Sequence, residues 1–199
     1  MKSLPAGDYT QTTFNLKVNI PKALCNIGEI LYLVKVFVPL YNSFMTLEEQ
    51  IAQLLTRRRK TLSTGESCTG GLLANRITNV AGSSNFFKLG VITYANQAKT
   101  KLLKVTPNTL KKYGAVSSQT ALAMAQGVRK ILNSDYGIGV TGIAGPSGAT
   151  KDKPVGLVYI ALSKRKKAIC VKSIFKGTRT SIKSQAATKA LKLLLKFIV

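Results

Sequence analysis

A serine hydroxyl lies among glycines in Gly65-Glu66-Ser67-Cys68-Thr69-Gly70-Gly71, just before apolar residues at helical spacing from Leu72 to Val80. A serine at the end of a strand and near the start of a helix has backbone N–H groups and a helix dipole beside it, and both stabilise an anion. That setting suits acyl transfer, or the holding of a phosphate. For the residues alone a plain structural role is the commoner one, because Ser67 or Thr69 can cap the helix by accepting a backbone N–H.

A serine nucleophile needs a base, and the chain of 199 residues has no histidine. Ser-His-Asp triads, Cys-His dyads, H-E-x-x-H zinc sites and facial-triad iron sites are therefore excluded. The base must be Lys, Tyr, Asp or Glu. Thr93-Tyr94-Ala95-Asn96-Gln97-Ala98-Lys99 holds the best candidate, with Tyr94 ending a strand and Lys99 in the first turns of the next helix. Burial or neighbouring cations lower a lysine pKa enough for this work. A second glycine-rich loop, Thr141-Gly142-Ile143-Ala144-Gly145-Pro146-Ser147-Gly148, follows an apolar strand and can bring backbone N–H groups to a ligand. It has neither the P-loop nor the G-x-G-x-x-G pattern, and such a loop by itself is an ordinary turn more often than a binding site.

The elements that must position these residues begin at Met45. Thr46 and Glu49 form a capping box ahead of a helical face of Leu47, Ile51, Leu54 and Leu55. Strands are expected near 61–64, 87–94, 136–140, 155–162 and 168–175, the last two paired. Helices are expected over 70–80, 97–103, 107–113, 118–132 and 180–197, with Ala121, Met124, Ala125, Val128 and Leu132 forming one buried face. Alternating strands and helices imply an α/β domain with helices covering a mixed sheet. Ser117, at the start of the 118–132 helix, suits a cap or a ligand contact.

Residues 1–44 differ in pattern. Ile20 to Tyr41 is apolar but interrupted by Lys22, Glu29 and Lys35 and bounded by Pro21 and Pro39, so it is a weak candidate for a membrane span or a secretory signal. Peripheral membrane contact, extra packing and a start placed ahead of Met45 are the alternatives. Cys25, Cys68 and Cys170 form no C-x-x-C, which argues against disulfide or zinc scaffolding and for a reducing, cytoplasmic setting. Cys68 reads as a packing residue. With 30 Lys+Arg against 7 Asp+Glu, a net charge of +23 predicts attraction to phosphates without choosing among nucleic acid, anionic lipid and small substrates. Much of it also fits a solvated, lysine-rich surface.

Taken in order, ESCTGG, TYANQAK, YGAVS, TGIAGPSG and KPVG resemble the CinA C-terminal family, the nicotinamide-nucleotide amidases, from about Met45 to Val199. The resemblance implies a single-domain, three-layer α/β/α sandwich with a mixed sheet. It implies hydrolysis of nicotinamide mononucleotide to nicotinate mononucleotide and ammonia, in pyridine nucleotide recycling, with no metal and no organic cofactor. Carried onto this chain, it makes Ser67 the nucleophile, Lys99 the general base and Tyr94 the hydroxyl partner that positions or relays the proton. Thr69, Gly70, Gly71, Asn96, Ser117, Thr141, Gly142 and Gly145 become the substrate-binding set, and N–H groups of the Cys68–Gly71 turn the oxyanion donors. Family members self-associate, so a homo-oligomer is expected.

The chain departs from the family at two places. Gln97 stands where many members have Glu, which removes a negative charge near Lys99. Lys183 stands where relatives often carry Arg, although Gly177 and Arg179 keep a G-x-R pattern; lysine cannot reproduce a bidentate guanidinium contact to a phosphate or a neighbouring subunit. Two other readings compete: an amidase of a different carboxamide, and a non-catalytic basic module on nucleic acid or a competence-related partner. With seven Phe, seven Tyr and no Trp, and no basic–aromatic recognition motif, any nucleic-acid binding is expected to be non-specific.

Overall fold

The computed structural model describes residues 45–198. The readings made for residues 1–44 lie outside them. The first helix, α1 (Leu47–Arg57), starts at the expected capping box: Thr46 accepts the Glu49 N–H, and the Glu49 carboxylate accepts the Thr46 N–H at 2.7 Å. Its apolar stripe buries Ile51, Ala52 and Leu55.

Five strands follow: β1 (Leu62–Glu66), β2 (Phe87–Ile92), β3 (Tyr136–Gly142), β4 (Leu157–Lys164) and β5 (Lys167–Ile174). They form one sheet in the order β2-β1-β3-β4-β5. β1 lies parallel to β2 and β3, and β4 is antiparallel to both β3 and β5, so the sheet is mixed, as expected. The remaining helices are α2 (Leu72–Thr78), α3 (Asn96–Leu103), α4 (Pro107–Tyr113), α5 (Ser118–Ile131) and α6 (Arg179–Ile198).

Each face of the sheet has its own core. On one, Leu62, Ile138, Val140, Val158, Ile160 and Leu162 meet apolar side chains of α1, α2 and α6. On the other, Leu103, Val105, Met124 and Val128 pack with Leu89, Val91 and Leu110, while Ala121 and Ala125 meet Ala161. The result is the α/β/α sandwich the motifs implied.

Glycines set how closely α5 seats. A Cβ on Gly137 would lie 2.2 Å from the Ala125 carbonyl oxygen, and one on Gly139 would lie 2.3 Å from that of Ala121. The helix backbone thus rests directly on β3, closer than any side chain allows. The expected buried face of α5 holds for Ala121, Met124, Ala125 and Val128. Leu132 is the exception, 53% exposed, because the helix ends at Ile131 and Leu132 leaves helical geometry with φ −118°. The helix expected from residue 70 starts instead at Leu72. Gly70 and Gly71, at φ +63° and +92°, hold a left-handed turn that a helix cannot include.

Candidate active site

Ser67, Thr93 and Tyr94 meet at the C-terminal ends of the parallel strands. Ser67 extends the ladder past β1, donating its N–H to Val140 O at 3.0 Å, while the Thr93 N–H donates to Glu66 O at 2.7 Å. Lys99 arrives from α3. It shares a buried face of that helix with Leu103, one turn on, and Leu103 is anchored in the core against Met124 and Val128. That packing drives Lys99 inward, leaving it 1% exposed.

The Lys99 Nζ lies 3.0 Å from Ser67 Oγ, 2.8 Å from Thr93 O and 3.0 Å from Tyr94 O. Two carbonyl oxygens can only accept, so they claim two N–H bonds of the amine. In the neutral amine the third direction carries the lone pair, aimed at the serine hydroxyl. Burial lowers the Lys99 pKa from its ordinary value, and the nearby Cys68 sulfur opposes this more weakly. Among the described residues no carboxylate pairs with Lys99. The site thus holds a lysine disposed to take a proton next to a serine able to give one.

Glu66 explains why the turn keeps its shape. Fully buried, its carboxylate accepts the N–H groups of Gly71 at 3.0 Å, Leu73 at 3.1 Å and Ala74 at 2.8 Å. It therefore occupies the N-terminus of α2 that the sequence offered for an anion, and Gly71 has no N–H to spare for an oxyanion. The N–H of Thr69 has no acceptor among the described residues, and that of Cys68 has none beyond its own side chain. A Glu66→Gln variant should lose about 2–3 kcal/mol of stability in urea melts, since an amide nitrogen would face backbone donors where a carboxylate oxygen accepts. An unchanged unfolding midpoint would show that α2 does not depend on this tether.

A cavity of about 280 Å³ opens over the pair, lined by Ser67, Cys68, Tyr94, Asn96 and Lys99 on one side and by the Thr141–Gly148 loop on the other. Of the expected binding residues, Asn96, Thr141, Gly142 and Gly145 line it, whereas Thr69, Gly70, Gly71 and Ser117 do not. The Thr69 hydroxyl is buried without a hydrogen-bond partner among the described residues. Gly70 faces Lys183, whose Nζ lies 3.3 Å from the position of an added Cβ. Ser117 caps α5, accepting the Thr120 N–H at 3.2 Å. Thr141 spends its hydroxyl on Ala115 O at 2.8 Å.

Tyr94 departs most from expectation. Its hydroxyl accepts from Arg179 Nη2 at 2.8 Å and bonds neither Ser67 nor Lys99; only its main-chain carbonyl meets the lysine. Arg179, the first residue of α6, also donates to Gly145 O at 2.7 Å and so ties the two walls of the cavity together. It stands outside the site residues read from the sequence, where its G-x-R pattern was the one available signal. Cys68 lines the cavity too, but burial pushes its thiol up to about 12, so it is not an ionised nucleophile. Among the described residues, no group of His, Cys, Asp and Glu converges in a way that could hold a metal.

A three-layer α/β domain with a buried Ser–Lys pair at the carboxyl ends of its parallel strands defines the class. The chain belongs to the CinA family: the CinA C-terminal domain matches residues 44–198. It is 50% identical over 149 residues to a CinA-like protein of Endomicrobium trichonymphae, covering 75% of this chain and 35% of that protein. A CinA-like protein of Koribacter versatilis is 47% identical over 154 residues, with 77% and 37% covered. The chain thus spans little more than a third of these curated relatives. The crystal structure of the competence/damage inducible protein CihA from Agrobacterium tumefaciens superposes with a TM-score of 0.72 at 39% identity, covering 75% of this chain and 94% of that one.

Proposed function

We propose that this chain is an amidase that hydrolyses the carboxamide of nicotinamide mononucleotide through an acyl-enzyme on Ser67. The observation that carries the chemistry is the buried Lys99 amine, 3.0 Å from Ser67 Oγ and held by two carbonyls. The substrate rests on the ordered motifs of the family. Neutral Lys99 takes the Ser67 proton as Oγ attacks the carboxamide carbon, and the tetrahedral oxyanion forms beside the N–H group of Cys68, which lines the cavity. Protonated Lys99 returns the proton to the departing nitrogen, which leaves as ammonia. Water, deprotonated by the same amine, then cleaves the serine ester and frees the carboxylate product.

The mouth of the cavity favours an anionic nucleotide. Arg179 stands there, Lys183 lies one helical turn further along α6, and the N-terminus of α3 beside Asn96 has no side-chain cap. The purified chain should release ammonia from nicotinamide mononucleotide faster than from nicotinamide or its riboside. Equal rates on all three would place recognition in the ring alone, and no release from any would remove the amidase reading.

Tyr94→Phe separates two roles for the tyrosine. With the hydroxyl bonded to Arg179, the variant should raise KM while kcat stays within about tenfold of wild type. A kcat loss of about 100-fold or more at constant KM would instead assign the hydroxyl to proton transfer.

A further inference from the structure

We propose that the end of the sheet opposite Ser67 binds single-stranded nucleic acid through its phosphates, without reading sequence. This end gathers the N-terminal ends of β1 and β3 and the turn between β4 and β5, where Gly137 pairs with Ser163. It lies a strand length, roughly 20 Å, from the Ser–Lys pair. Charge here therefore does not serve to hold a substrate at Ser67.

Two recesses adjoin at this end and share Arg129, Lys164 and Arg165. One, of about 310 Å³, is also lined by Lys130, Lys166 and Lys167; the other, of about 710 Å³, by Lys60, Asn133 and Tyr136. Asp135 is the carboxylate of the larger recess, and it is already engaged by Lys60 at 2.9 Å and by the N–H and hydroxyl of Thr61.

The ordinary reason for cations here is that helix C-termini need them. It accounts for part of the group. The Arg58 guanidinium donates to Ile198 O at the end of α6, and Arg129 Nη1 donates to Ser134 O at 3.3 Å. Lys164 and Lys167 lie over the Phe197 ring, 5.3 and 5.9 Å from its centre. Lys130, Arg165 and Lys166 have no carboxylate or carbonyl partner among the described residues. Arg129, in the shared wall, has a buried Nε with no hydrogen-bond partner among the described residues. Phosphate oxygens are good acceptors for the exposed cations of Lys130, Arg165 and Lys166.

A continuous strand suits this arrangement better than a compact anion. The cations follow one another along the Lys164–Lys167 turn and into two recesses, so successive phosphates can each meet one. Tyr136, half-buried and packed edge-to-face with Phe197, lines the larger recess and is the aromatic side chain there that a base could meet. A bilayer surface, being flat, cannot enter either recess, although Ile131 and Leu132 are exposed beside Lys130.

The test measures anisotropy of a labelled 20-nucleotide single strand of mixed sequence against the full chain, between 50 and 200 mM salt. Arg165→Glu/Lys166→Glu alters only exposed turn residues and should weaken binding tenfold or more at 50 mM. The slope of log K against log salt should become shallower by about 1.4, for two lost phosphate contacts. Lys111→Glu/Lys112→Glu makes the same change of charge on α4 and should shift affinity less than threefold, and Ser67→Ala should not shift it. Inorganic phosphate at matched ionic strength should not compete. Equal weakening by both charge-reversed pairs, no binding at 50 mM, or binding to phosphatidylserine vesicles but not to the strand would each overturn the proposal.

Discussion

Ammonia release by a Ser67→Ala variant is expected to fall by about 10⁴-fold or more, with substrate affinity retained within a few-fold. In the proposed mechanism the hydroxyl forms the ester, and the neighbouring Cys68 cannot replace it: burial pushes its thiol up to about 12, so it stays protonated at neutral pH. The loss should be in kcat, because the cavity walls, Arg179 and Asn96 are untouched. Ser67 is itself largely buried, and the change removes one oxygen, so the fold should persist by circular dichroism. Turnover within tenfold of wild type by the folded variant would falsify the covalent mechanism.

Lys99→Met is expected to lose activity to a similar extent, and the Ser67→Ala/Lys99→Met double variant should be no worse than either single one, because the two groups act as one unit. The wild-type protein provides an independent readout. Activity should rise with pH along a limb whose apparent pKa lies below the ordinary lysine value of 10.5, since burial favours the neutral amine and only that form accepts the serine proton. The sign of the stability effect follows from the same shift. Between the lowered folded value and 10.5 the unfolded chain binds more protons at this lysine than the folded one, so its contribution to stability rises with pH. Lys99→Met should lack that rise. An acid limb that survives in Lys99→Met with full activity would assign the base elsewhere.

The candidate reacting groups were singled out by residue type together with the family resemblance. A histidine-free chain leaves few bases, and the ordered motifs pointed to Ser67 and Lys99, whereas the packing of Lys99 beside Leu103 belongs to the structure. Where a short-range pattern sufficed, expectation and structure agree, as at the Thr46–Glu49 capping box and the paired β4 and β5. The turn after Ser67 was harder to read. A glutamate at a strand end can meet a lysine or a backbone, and only the packed structure shows Glu66 taking the N–H groups of α2 that seemed free for an anion. Arg179 and Tyr94 stand 85 residues apart, and no periodicity links a helix start near the C-terminus to a strand end on the far side of the site.

By itself, then, the sequence determined the chemical repertoire and the order of elements: a serine on a strand-end turn, a lysine in the first turns of the helix after the following strand, and alternation that compels a layered α/β domain. Those follow from residue type and spacing, which act over a few residues. The tertiary structure decided which groups meet. It brought Lys99 to 3.0 Å from Ser67 across 32 residues, turned the Tyr94 hydroxyl away toward Arg179, and gathered the unpaired cations at the far end of the sheet. Such meetings depend on strand order and on how closely α5 settles against the glycines of β3, which only the folded chain sets.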